Sequence, residues 1–192
     1  MGGGALLPEQ TRSETQLKGP PMLRINAPAP ALGFPLLSGD RFNLTGETPE
    51  NFTLVILYRG LHCPICRKQI ETDVVPNLKA LAEKGVEVVA VSMDEEERAR
   101  KQEAEWNFND LRVGYALTEA TAREWGLYIS SARNGSTEPE IFCEPGMTLV
   151  RPDGSVFAHW QQSVPFARPG MGDLISGVGF IVDNDYPARG TA

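Results

Sequence analysis

Cys63 and Cys66 stand three residues apart, where an apolar run gives way to a helical pattern. The stretch reads Leu54-Val55-Ile56-Leu57-Tyr58-Arg59-Gly60-Leu61-His62-Cys63-Pro64-Ile65-Cys66-Arg67-Lys68. Only a thiolate is a strong nucleophile, so the question is what would lower a thiol pKa here. At a helix N-cap or first turn, Cys63 would meet free backbone N–H groups and the positive end of the helix dipole. Arg59, His62 and Arg67 add charge that is positive or can become so. Pro64 suits the first helical turn, where no hydrogen-bonded N–H is needed. Cys66 lies one turn on, within reach of Cys63, and is expected to be the more buried of the two.

This pattern points to sulfur redox chemistry in two steps. Cys63 would attack a disulfide or a peroxide oxygen, giving a mixed disulfide or a sulfenic acid. Cys66 would resolve it as a Cys63–Cys66 disulfide. An external dithiol reductant, of thioredoxin or glutathione type, would reopen that disulfide, and no cofactor is required. Two other readings stay open. The pair could be structural, since cysteine is among the most buried residue types. A zinc site would draw on Cys63, Cys66, Cys143 and His62 or His159, but no second close ligand pair accompanies the first.

The totals narrow the classes. The 192 residues and 41% apolar content suit one domain with a sizeable core. No apolar run is long enough to span a bilayer. The first residues have neither the basic start nor the apolar stretch of a signal peptide, so a cytoplasmic location is expected. A net charge of -7 argues against nucleic acid as a partner. Three cysteines are an odd number, which does not suit a disulfide-stapled secreted domain.

The elements that would position the pair follow from periodicity. Phe52 to Tyr58 reads as a strand covered on both faces. Residues 63–84 switch to a helical period, with Pro76 expected to kink the helix and Gly85 to close it. Val86 to Ser92 reads as a second buried strand. Asp94 to Glu105 reads as a helix with a solvated charged face, anchored by Trp106 and Phe108. A short strand is expected within 111–118, a helix from Thr118 to Trp125 and a loop over 131–140. Met147 to Val150 and Ser155 to Trp160 should form a hairpin around Pro152-Asp153-Gly154. A last helix runs from about Met171 to Val182. Upstream, Phe34 to Leu37 and Phe42 to Leu44 should form a hairpin around Ser38-Gly39-Asp40. Residues 1–17 are expected to be a loose tail or a short docking helix. The division expected is an arm over 1–29, one domain over 30–183 and a polar tail over 184–192. Strand–helix alternation followed by a hairpin suggests a mixed sheet with helices on both faces.

With these residues set out, the sequence resembles the thioredoxin superfamily. More specifically it resembles the peroxiredoxin-like branch, the alkyl hydroperoxide reductase/thiol-specific antioxidant group of redoxin proteins. The matching parts span about residues 30–190. They are Leu57 to Cys66, Gly85 to Ser92, the insertion ending Glu124-Trp125-Gly126-Leu127-Tyr128, Glu144-Pro145-Gly146 running to Gly154, and Pro165-Phe166-Ala167-Arg168-Pro169. The resemblance implies a thioredoxin-like three-layer α/β/α fold, with an N-terminal hairpin and a peroxiredoxin-type insertion. It implies a thiol oxidoreductase acting on peroxides or protein disulfides. Cys63 falls on the attacking position and Cys66 on the thioredoxin-type resolving position. Arg59, His62 and Pro64 would support the pair. Pro145 falls near the cis-proline that faces it, so a cis bond after Glu144 comes into question. Gly60 stands where the family carries a hydroxyl residue, and Arg59, Arg151 and Arg168 are candidates for the arginine beside the thiolate. A thioredoxin-like dithiol role needs neither group. The alternative is a redox-sensing or binding module on the same fold. Cys143 is expected to be a buried strand-edge thiol. A homodimer would use the N-terminal arm or the Phe166 region.

Overall fold

The computed structural model describes residues 22–191. The expected tail or docking helix over residues 1–17 lies outside the described residues.

The strand β3 (Phe52–Leu57) is buried at all six positions, as its near-continuous apolar sequence predicts, Thr53 included. It pairs in parallel with β4 (Val86–Val91) and antiparallel with β8 (Gly146–Val150). Outside these lie β5 (Arg112–Gly114) and β9 (Val156–Gln161), giving a five-stranded mixed sheet in the order β5-β4-β3-β8-β9. Successive residues of β3 feed opposite cores because side chains alternate across a strand. Leu54 and Ile56 face one core, with Tyr58 just beyond the strand, and Val55 and Leu57 face the other.

The first core is roofed by helices. After Cys63 the chain runs through α1 (Pro64–Gln69), one π-helical stretch (Ile70–Val74) and α2 (Val75–Ala82). The disturbance expected from Pro76 falls in the turn before it. A proline ring crowds the preceding carbonyls and offers no N–H, and the wider π turn accommodates both. Asp73, in that turn, accepts the Met171 amide at 3.1 Å and so ties down the start of α5 (Met171–Asp183). Trp106 and Phe108, after α3 (Glu96–Glu105), close the same core as expected.

The second core carries a helix on the sheet's other face, as expected. Its helix is the short α4 (Glu119–Glu124), with Trp125 and Leu127 fully buried beside it. The rest of the cover is β structure. The expected N-terminal hairpin is present as β1 (Gly33–Pro35) and β2 (Arg41–Asn43), with Phe34 stacked on Phe42. A second hairpin, β6 (Ile129–Ser131) with β7 (Ile141–Cys143), flanks the expected 131–140 loop. The loop's polar sequence gave no sign of these strands.

The segments outside the expected domain limits contact the fold. In the expected arm, Asn26 and Ala29 donate backbone hydrogen bonds to Val156 and Gly154. The polar segment after α5 packs back on the fold: Tyr186 meets Phe180 ring to ring, and Ala188 is buried.

Candidate active site

The chain leaves β3 at Tyr58 and turns at Gly60, whose φ of +105° suits a residue without Cβ. Cys63 then caps α1. Its backbone is extended, Pro64 occupies the first helical turn, and Cys63 Sγ accepts the Cys66 amide at 3.2 Å. A sulfur in this position satisfies one of the free amides that begin every helix. The three cysteines are free thiols.

The two sulfurs are pushed in opposite directions. The Cys66 side chain hydrogen-bonds to the Cys63 sulfur and brings that thiol down to about 6, against desolvation that raises it. The Cys66 amide, Arg168 and Arg59 lower it further. Burial, and then the hydrogen bond to Cys63, push Cys66 well above the ordinary thiol range. One thiol is therefore poised as the thiolate and its neighbour as the proton holder. Cys66 is the deeper of the two, as expected, and its burial is the largest cause of its shift, although both sulfur residues are nearly closed to solvent at 0% and 1% exposed. Cys63 nevertheless lies just under the surface, since Pro64 and Ile65 beside it are exposed.

Arg168 is the arginine that the structure brings to the pair. Its Nη2 donates to Cys66 Sγ at 3.1 Å, and its Nη1 donates to Gln69 Oε1. Its Nε is buried and has no partner among the described residues. Arg151 is elsewhere, over the Phe157 ring. Arg59 lies near enough to favour the Cys63 thiolate, but it is also engaged by Glu138 at 3.1 Å and approaches Glu144 at 3.6 Å.

Several sequence expectations need correction. His62 is not a cation at neutral pH, because burial and then Arg59 lower its pKa to about 4. Its ring meets Phe142 at 60° with centroids 4.6 Å apart, and Phe142 also carries the Arg59 guanidinium over its ring at 4.5 Å. Arg67 turns away from the sulfurs to Glu71, at 3.0 Å, and to the Glu105 carbonyl. The bond between Glu144 and Pro145 is trans. Pro145 still reaches the site's edge, lining a small cleft with Gln69, Met147, Trp160 and Arg168.

The zinc reading finds no support in the geometry. Cys143 Sγ contacts the Tyr58 carbonyl at 3.6 Å within the second core, and burial pushes its pKa to about 12. His159 pairs with Thr148 at 2.9 Å. Among the described residues no group of three or more His, Cys, Asp or Glu is placed to hold a metal ion. None of the described helices is long and apolar enough to cross a membrane.

Sequence reasoning missed a buried polar network behind the site. Asp94 and Gln102 were expected on a solvated face but are 2% and 0% exposed. Gln102 accepts the Tyr58 hydroxyl at 2.7 Å and donates to Asp94 at 2.6 Å. Asp94 is hidden in the sequence by the exposed charges Glu95, Glu96 and Glu97, whereas Gln102 lies at helical spacing from the buried Ala99 and Trp106, a signal that could have marked it.

Comparison with known proteins agrees with this architecture. The Redoxin family model matches residues 24–167. No curated protein matches the chain. Among solved structures, the peroxidoxin BcpB of Mycobacterium tuberculosis superposes with a TM-score of 0.62 at 14% identity, covering 83% of this chain and 98% of that one. The peroxiredoxin-like protein of Aquifex aeolicus gives 0.64 at 17% identity, covering 84% and 89%. Reduced Prx3 of Vibrio vulnificus in complex with H2O2 gives 0.68 at 12% identity, covering 82% and 99%. At these identities the likeness is one of fold.

Proposed function

The chain belongs to the Redoxin family, whose members are peroxiredoxin-like thiol oxidoreductases, and from that premise we propose that it reduces peroxides or protein disulfides through a Cys63–Cys66 dithiol cycle. The observation that carries this reading is the opposed poise of two adjacent sulfurs. Cys63 is held toward the thiolate at a helix cap, and Cys66 is held protonated beside it.

With a hydroperoxide, the Cys63 thiolate attacks the terminal oxygen and the O–O bond breaks. The alkoxide or hydroxide leaves and takes a proton, and Cys63 becomes a sulfenic acid. Cys66 sulfur then attacks Cys63 sulfur, water leaves, and the disulfide forms. With a disulfide, Cys63 displaces one sulfur as a thiolate and Cys66 displaces the other. Either way the substrate gains two electrons and the cysteine pair loses two. An external dithiol of thioredoxin or glutathione type restores the pair by two successive exchanges. The Arg168 guanidinium favours sulfur anions at this position, and its free Nε is a donor suited to a substrate oxygen.

A second reading, a redox sensor that cycles without rapid turnover, draws on the 1% exposure of Cys63. Its absent hydroxyl at Gly60 points the same way.

The test measures peroxide consumption and insulin disulfide reduction, each with a thioredoxin-type reductant. Wild type should turn over, Cys63→Ser should lose all activity, and Cys66→Ser should stall after the first step. Turnover that survives Cys63→Ser would refute the cycle. A reversible disulfide without turnover would establish the sensor.

A further inference from the structure

Asp94 follows β4 and takes no part in the cysteine cycle, yet its carboxylate is wholly buried and held by three donors. Oδ2 accepts the Leu61 amide at 2.7 Å and Gln102 Nε2 at 2.6 Å, and Oδ1 accepts Arg98 Nε at 2.7 Å. The Leu61 contact crosses from the end of β4 to the loop between β3 and Cys63. Gly60 leaves the space for it. A Cβ built on Gly60 would lie 2.2 Å from Asp94 Oδ2 and 2.6 Å from its Cγ. The carboxylate thus fills the position that any side chain at residue 60 would occupy.

We propose that Asp94 is the positioning residue of the reactive thiol, fixing the Gly60–Leu61 peptide so that Cys63 caps the helix. The inference rests on the thiol-redox reading above. The transmission is short. Asp94 holds the Leu61 N–H, which belongs to the same peptide unit as the Gly60 carbonyl. That carbonyl accepts the Cys63 amide at 3.1 Å. Cys63 Sγ then meets the Cys66 amide. At the loop's other end the Tyr58 hydroxyl joins the same network through Gln102. The absence of a hydroxyl side chain at residue 60 is in this view a replacement: a carboxylate from the segment after β4 takes the space and orders the loop through its backbone.

The sign of one measurement separates positioning from simple electrostatics. A nearby negative charge disfavours a thiolate, so loss of the Asp94 charge alone would lower the Cys63 midpoint. Loss of positioning would raise it, because the Cys66 amide and the helix start would no longer be aligned with the sulfur.

The experiment titrates Cys63 by pH-dependent alkylation with iodoacetamide, reading each cysteine by peptide mass. It uses the full-length chain as wild type, Asp94→Asn and Gly60→Ala, with circular dichroism to confirm folding. Gly60→Ala keeps the charge but displaces the carboxylate and strains the φ of +105°, and it carries the test where Asp94→Asn does not fold. Both variants are expected to raise the midpoint by about one pH unit or more, roughly a tenfold loss of thiolate below it. An unchanged or lower midpoint in a folded variant overturns the inference. A wild-type midpoint in the ordinary thiol range overturns the redox reading itself, and this inference with it.

Discussion

Arg168 Nη2 lies 3.1 Å from Cys66 Sγ, although 102 residues separate them in the chain. The contact is made by tertiary structure alone. The π turn before Pro76 carries Asp73, Asp73 holds the Met171 amide at the start of α5, and Arg168 is three residues upstream. The segment that carries the arginine is thereby tied to the helix that carries Cys66.

Replacing this arginine tests its electrostatic share. Arg168→Gln removes a cation that favours the anion on both sulfurs. The Cys63 midpoint should rise by about one pH unit, within the usual range for loss of an adjacent opposite charge. The rate of reaction with a peroxide at pH 6 should fall accordingly. The alkylation profile and a stopped-flow oxidation trace check the two separately.

Tyr58 is expected to matter for stability. Its hydroxyl donates to Gln102 Oε1 at 2.7 Å inside the first core. Tyr58→Phe leaves a buried acceptor without its partner, at about 1–3 kcal/mol. Urea unfolding should show the loss as a lower midpoint at unchanged slope.

His62 gives stability an acid limb with a definite sign. Its folded pKa, about 4, lies below the unfolded value of 6.5. Between those values the unfolded chain binds the extra proton, so this contribution is complete above pH 6.5 and is lost as pH falls toward 4. His62→Phe keeps a ring against Phe142 and should flatten that limb by on the order of 1 kcal/mol, allowing for the screening of a half-buried group. Unfolding free energies measured from pH 4 to 7 for both proteins provide the comparison.

Cys143 should be chemically silent. Burial holds its pKa near 12, and its sulfur faces the Tyr58 carbonyl in the second core. Iodoacetamide at pH 8 should leave it unmodified in the folded protein while Cys63 reacts. Cys143→Ala should leave turnover unchanged.

How much of this was legible in the sequence depended on the range of the forces involved. The central strand, the Cys63 cap and Pro64 at its first turn are local consequences of residue type and spacing, and the structure has them as read. The helix break before Pro76 was legible for the same reason. The Asp94–Gln102 network was not, because Asp94 stands before a run of exposed glutamates and the polar side chain of Gln102 hides its helical spacing from Ala99 and Trp106. Arg168 was one of three candidate arginines, and only tertiary packing could single it out. His62 was read as a potential cation, yet its charge state is decided by burial and by Arg59, which spacing does not reveal. The β6–β7 hairpin escaped because Ile129-Ser130-Ser131 is too short and too polar to announce a strand.

The bond formed on oxidation decides whether Cys63 and Cys66 act as a pair. Reduced protein is treated with one equivalent of hydrogen peroxide or of a small disulfide, quenched with acid, and digested for peptide mass analysis. A Cys63–Cys66 disulfide should form with Cys143 still a thiol, and Cys66→Ser should trap an adduct on Cys63. Oxidation that begins at Cys66, or that joins Cys143 to either partner, would contradict that pairing.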